Sequence, residues 1–214
     1  MKRFIILLSF LFLANLSFAV ELWNGFMAGM SEEEAMTRAG EVLNLRSQRI
    51  VNAKVRLGLP SVFSNGYRVP EAEKIYYLNS GNDGLYRVPN SGSYIYNVAL
   101  GFYNNRLFAI RIIWEAQARD LLALAIQRYG QPTIFRYVHG IREPEIMEIQ
   151  MWRLQGRDFF IDRETFHPEL DRRIFVFIDQ SIQQNYQTEY ELAERRRQAE
   201  EDARRRSAVD NVTF

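Results

Sequence analysis

The second half of the sequence concentrates the side chains best suited to acid–base or metal chemistry: His139, Glu143, Glu145, Glu148, Asp162, Glu164 and His167. His139, Glu143, Glu145 and His167 have the donor types of a zinc site, and a pair of carboxylates is what glycoside hydrolysis requires. The spacing speaks against the metal. Neither H-x-x-x-H nor H-E-x-x-H occurs, so no helix turn would present two imidazoles to one ion. Two loop histidines near strand ends account for the same residues. Glu148 and Asp162 fit equally well as the water-facing residues of a hairpin. No serine stands in a G-x-S-x-G elbow, and Ser91-Gly92-Ser93 reads as a turn before a strand. The chain contains no cysteine, which removes thiol catalysis, disulfides and cysteine-ligated zinc or iron–sulfur sites. No residue is therefore assigned a catalytic, metal-binding or cofactor-binding role, and no cofactor is expected.

The segment NGFMAGMSEEEAM, residues 24–36, raises a different chemistry, that of a phosphate-binding glycine loop. A P-loop needs G-x-x-x-x-G-K-[ST]. Gly25 and Gly29 are one residue too close, Met30 stands where the lysine belongs, and Glu32, Glu33 and Glu34 would repel an anion from the helix N-terminus. Ser31 followed three residues later by Glu34 is instead a capping box. Gly29, Met30, Ser31 and the acids after them resemble the Gly-Met-Ser/Thr helix start of the SmpA/OmlA (BamE) group of small envelope proteins. They are also similar to the repeat of the β-lactamase inhibitory protein family. The resemblance covers residues 25–44 and implies a two-layer α+β fold used, without catalysis, for protein contacts in the envelope. It carries over no binding residue. The lipobox cysteine of the envelope lipoproteins is missing, and the second half has no matching Gly-Met-Ser.

Aromatic side chains offer a third chemistry, stacking on sugars or peptides. Alternation puts Tyr94 and Tyr96 on the face of Val98 and Leu100, hence in the core. Tyr76, Tyr86 and Tyr103, near loops, are the surface candidates, and a ligand-binding module would need them to line one groove.

The elements that would position these groups follow from periodicity. A helix is predicted from Glu32 to Leu43, where Ala35, Met36, Ala39, Val42 and Leu43 recur at helical spacing. Val51, Ala53, Val55 and Leu57 alternate, predicting a strand over 49–57 that Pro60 ends. The stretch 61–90 reads as a long surface excursion with one strand, Lys74 to Leu78. Tyr94 to Phe102 and Phe108 to Trp114 alternate on either side of Asn104-Asn105, which predicts a β-hairpin. Ala116 to Tyr129 is a helix closed by Gly130 and Pro132, with Leu121 and Leu124 widening its apolar face. Ile134 to His139 is a short strand, and Ile146–Leu154 and Asp158–Arg163 form a hairpin around Gln155-Gly156. RIFVFIDQ, residues 173–180, is apolar on both faces and predicts a central strand. The order predicts an α+β fold with helices packed on one face of an antiparallel β-sheet, arranged as two similar helix-then-strands halves over 20–115 and 116–182.

The ends predict location. Lys2-Arg3, the apolar run Phe4–Leu13 and Ser17-Phe18-Ala19 form a signal-peptide pattern over 1–19, cleaved after Ala19. An uncleaved anchor is the alternative, but the apolar core is about half the roughly 20 residues a spanning helix needs. The formal charge is +1, and loss of Lys2 and Arg3 lowers it by two. A surface this balanced gives no electrostatic case for nucleic acid. Residues 20–182 are read as one domain and 183–214 as a charged, exposed helix and tail. Glu191–Arg195, Glu200–Arg204 and Glu201–Arg205 are spaced to support that helix. A coiled-coil arm is the alternative, although apolar heptad positions run out after Leu192.

These readings lead to an exported, non-catalytic binding or structural protein of the periplasm or cell envelope. An envelope protein is the expected partner, with no membrane span in the mature chain and no lipid anchor. The alternatives are a hydrolase acting on envelope glycan or peptide through second-half carboxylates and histidines, and a small-ligand or glycan binder using loop aromatics.

Overall fold

The computed structural model describes residues 20–80, 84–90, 92–115, 118–139, 145–163 and 172–210. A small hairpin, β1 (Glu21–Trp23) and β2 (Phe26–Met27), turns at Asn24-Gly25 and leads into helix α1 (Glu32–Val42). Then come β3 (Ser47–Val51), β4 (Lys74–Asn79), β5 (Tyr86–Arg87), β6 (Tyr94–Tyr103) and β7 (Arg106–Glu115). Helix α2 (Ala118–Tyr129) opens the second set, β8 (Thr133–His139), β9 (Glu145–Leu154), β10 (Arg157–Arg163) and β11 (Arg172–Asp179), and helix α3 (Gln180–Asp210) ends it. All pairings in the large sheet are antiparallel, so the fold is α+β.

The strand order is β3-β4-β6-β7-β11-β10-β9-β8, with β5 added beside β6. It reads as a palindrome about the β7–β11 seam: each helix is followed by strands that end at the centre. In both sets the helix precedes the strands, and α1 and α2 lie on one face of the sheet. Ala35 and Ala39 of α1 and Ala125 of α2 are indeed buried in one apolar cluster with Val98, Leu100, Ile112 and Phe175.

Local chemistry sets the ends of these elements. The Ser31 N–H donates to Glu34 Oε2 at 2.7 Å and the Glu34 N–H to Ser31 Oγ at 3.3 Å, completing the capping box. The stretch before it is anchored to β7, since Gly29 N–H donates to the Leu107 carbonyl and Leu107 N–H to that of Met30, both at 2.8 Å. Asn104 and Asn105 both take positive φ, 49° and 57°, the geometry of a two-residue hairpin turn that follows strand twist.

Three expectations are corrected here. The strand predicted over 49–57 ends at Val51, and 61–73 is no surface excursion. Leu57, Leu59, Phe63, Tyr67, Val69 and Ala72 are buried in a second cluster with Ala99, Phe108, Phe160, Ile174, Val176 and Ile178 on the sheet face opposite α1 and α2. The cause is the sheet: its central strands are apolar on both faces, and something must cover each. Gly101 lets the cover approach, because a Cβ there would stand 2.9 Å from Leu57 Cδ1. Tyr94 and Tyr96 are not core either. A register shift between Ile95 and Asn97 puts Ile95, rather than its neighbours, on the face of Val98. Tyr94 is left exposed, as expected where a bulge adds one residue to a period of two.

Helix α3 docks by its first turns. Ile182 packs on the second cluster, Gln183 is buried, and the Arg68 guanidinium lies 3.4 Å from the centre of the Tyr190 ring. From Glu191 to Arg206 every residue is exposed except half-buried Glu194, so the charged part projects from the body. Among the described residues, no helix is long and apolar enough to cross a membrane.

Candidate functional site

Among the described residues, Glu148 and Asp162 are not brought together. Glu143, Glu164 and His167 lie outside the described residues. Glu145 is the register partner of His139 at the end of the β8–β9 hairpin and is exposed. Glu148 and Asp162 stand on opposite faces: Glu148 alternates with Ile149 of the second cluster, whereas Asp162 shares that cluster's face with Phe160. Glu148 is exposed and accepts from Arg136 Nε at 2.9 Å. Asp162, expected to face water, is buried and accepts from the Tyr137 hydroxyl at 2.8 Å. Burial first, and then the Asp162 charge, push the Tyr137 phenol up. Two carboxylates separated by the sheet cannot act on one glycosidic bond. No group of three or more histidine, aspartate or glutamate side chains among the described residues is placed to hold a metal ion.

The three tyrosines also separate. Tyr76 is buried against Phe102, their centroids 5.5 Å apart, and its hydroxyl donates to Glu32. That bond, with burial, pushes its phenol up to about 12. Burial alone would raise Glu32, but Lys74 Nζ at 2.6 and 2.8 Å and the Tyr76 hydroxyl outweigh it and hold the carboxyl down. Tyr103 lines a cleft of about 300 Å³ with Lys54, Glu71, Glu73, Tyr186, Glu189 and Tyr190. Tyr86 belongs to a different and larger cavity on the helix face.

That cavity measures about 570 Å³. Its floor is sheet: Ile95, Ile112, Trp114, Phe159, Phe175 and Phe177. One wall is the last half of α2, with Leu124, Ala125, Gln127, Arg128 and Tyr129, and the other is Trp23 of β1 with Tyr86, Val88 and Pro89. The floor is a ladder of rings. Phe159 stacks on Phe177 at 4.6 Å and on Trp152 at 5.4 Å, and Phe175 lies 6.1 Å from both Phe159 and Trp114. Trp23 meets Tyr86 edge-on at 5.0 Å. These contacts hold the rings against each other and leave the space between α2 and the β1–β5 wall open.

Polar groups are few. The Trp152 indole N–H donates to the Gly130 carbonyl at 2.8 Å. The Trp114 indole N–H, fully buried, has no acceptor among the described residues, a cost of about 1–3 kcal/mol. Gln127 and Arg128 are exposed at the rim beside Leu124, which is 52% exposed. Periodicity placed Ile112 and Trp114 in an alternating strand and saw Leu124 widen the α2 face. That surplus apolar width was the signal of a helix face larger than its packing surface. Comparisons with protein-family models, curated proteins and solved structures found no match for this chain.

Proposed function

We propose that this chain is an exported, non-catalytic binding module that holds a small apolar ligand in the aromatic cavity between α2 and the β1–β5 wall. The observation that carries the reading is the cavity itself: about 570 Å³ with predominantly apolar walls, within the range of roughly 300–1,000 Å³ usual for small-molecule sites. Export is supported by Lys2-Arg3, the apolar run after it and Ser17-Phe18-Ala19. The test is a titration of the full chain, expressed with its own leader, with the uncharged fluorophore N-phenyl-1-naphthylamine. Saturable binding is expected, with quenching of Trp23 and Trp114. Ala125→Phe, which fills the cavity from the helix side, should weaken it at least tenfold in protein that still unfolds cooperatively. Linear, unsaturable uptake would sink the cavity reading, and recovered protein that did not begin at Val20 would sink the export reading.

Protein contact is a second reading, favoured by a different surface. Val138 and Ile146 are register partners on the β8–β9 edge, 67% and 70% exposed, with Ile134 at 44% beside them. Exposed apolar groups gathered at one edge mark contact surfaces. The envelope-protein resemblance of Gly29-Met30-Ser31 points the same way. A photo-cross-linker at position 138 should trap one product in envelope extract, and Ile146→Asp should abolish it. A product indifferent to Ile146 would count against contact through this edge.

A further inference from the structure

The cavity's charge pattern narrows its ligand. We propose that the ligand is a free single-chain amphiphile with an anionic head, its apolar part among Trp114, Phe159 and Phe177 and its head held at the rim by Arg128. The proposal rests on the cavity reading above.

Among the described lining residues Arg128 is the one charged side chain, and no carboxylate faces it. Some arginines of the body are paired with acids, Arg38 with Glu41, Arg56 with Glu71, Arg136 with Glu148 and Arg153 with Asp158, while Arg49, Arg68 and Arg157 meet rings or carbonyls away from any cavity lip. Arg128 has no carboxylate partner among the described residues; its guanidinium lies 5.4 Å from the centre of the Tyr129 ring. A basic residue in the last turn suits the negative end of the α2 dipole. That explains a charge near Tyr129, but not its place on the lip of an apolar cavity beside exposed Leu124. The same dipole disfavours an anion against the helix end, and the Gly130 carbonyl there already accepts from Trp152. A head group must therefore be met by the side chain. A guanidinium offers two parallel donors to a carboxylate, sulfonate or phosphate, and none of its hydrogens suits a cationic head.

The test uses three probes with one tail, dodecanoate, dodecanol and dodecyltrimethylammonium, below their micellar concentrations. Each competes with N-phenyl-1-naphthylamine on the full chain. All three should displace it, dodecanoate about tenfold more tightly than dodecanol, as expected for a charge-assisted bond at a partly exposed rim. The ammonium should bind most weakly. Arg128→Gln should bring the ratio of dodecanoate to dodecanol affinity down to about one, whereas Arg128→Lys should keep part of the preference. The preference should shrink with added salt. If the naphthylamine itself does not bind, the cavity reading fails and takes this inference with it. If it binds but dodecanoate is no better than dodecanol, or Arg128→Gln retains the preference, this inference alone is overturned.

Discussion

Asp158→Ala should lower the unfolding free energy by about 2–4 kcal/mol, measured by urea denaturation of the full chain. Asp158 is fully buried, on the sheet face opposite the cavity. Its Oδ2 accepts from the Tyr67 hydroxyl at 2.8 Å, and its Oδ1 from Gln180 Nε2 at 2.9 Å and Arg153 Nε at 3.2 Å. One carboxylate thus joins the 52–73 cover, the start of α3 and β9. Arg153 is 57% exposed, so water replaces what it loses and the pair itself contributes little. Gln180 keeps the Leu154 and Arg157 carbonyls as acceptors. Tyr67 keeps nothing comparable: it is buried, and its hydroxyl would be left without an acceptor, at about 1–3 kcal/mol. The space vacated by the carboxylate adds to this. Asp158→Asn retains an oxygen for Tyr67 and should recover about half of the loss. A change below about 1 kcal/mol in Asp158→Ala would show that the cluster is not what fastens the cover.

The same variant should alter the alkaline limb of stability. Burial first, and then Asp158, push the Tyr67 phenol well above 10. The unfolded chain releases that proton near pH 10 while the folded chain keeps it. The contribution is therefore complete below pH 10 and is lost as pH rises, by about 1.4 kcal/mol per pH unit for each such tyrosine. Tyr76, raised to about 12 by its bond to Glu32 and by burial, falls on the same limb. Without Asp158, Tyr67 is lifted less and its share of the loss spans a narrower interval.

The two faces of the sheet show what a sequence pattern can and cannot specify. Ser31 with Glu34, and Asn104 with Asn105, are local statements: each satisfies its own backbone within a few residues, so both were legible. RIFVFIDQ was legible too, as a strand apolar on both sides. Its consequence, that each face needs a cover, points to no particular partner, because apolar residues carry no address. The cover proved to be 52–73, of which 61–73 belonged to a stretch whose glycine, asparagine, serine and proline content suggested surface. Tyr94 and Tyr96 misled because a bulge costs one residue of register and leaves no trace in the alternation. Asp162 misled because period two separates faces without saying which is wet. The cavity was the least legible, since it is the gap between α2 and the β1–β5 wall and belongs to no segment.

Phe63→Ala tests that cover directly and should cost about 3–4 kcal/mol. The residue sits in an irregular segment, where substitutions usually stay within about 0.5 kcal/mol. Its ring, however, is fully buried among four others: Phe135 at 5.2 Å, Tyr67 and Phe160 at 5.9 Å, and Tyr137 at 6.0 Å. Three of those four belong to strands β8 and β10 and cannot follow the backbone of 52–73 into a vacated space. The segment is itself pinned on both sides of the ring, Phe63 N–H donating to the Tyr67 carbonyl at 2.9 Å and Ser64 N–H to that of Arg136 at 3.0 Å. The Ser64 bond also occupies an outward carbonyl of edge strand β8, which would otherwise invite pairing with another chain. Little collapse is open to such a site, and the cost belongs with ordinary core Phe→Ala changes of about 3–5 kcal/mol rather than with loop changes. Val62→Ala is the internal control, one residue away but 38% exposed, and should stay within about 0.5 kcal/mol. Limited trypsin digestion gives a second readout, because Lys54, Arg56 and Arg68 lie in the cover. Phe63→Ala should speed cleavage at those residues before the sheet is cut, as local opening becomes easier than global unfolding. If Phe63→Ala and Val62→Ala are equally mild and the tryptic pattern is unchanged, the segment is an excursion after all, and the second face of the sheet is held by the strands and the start of α3 alone.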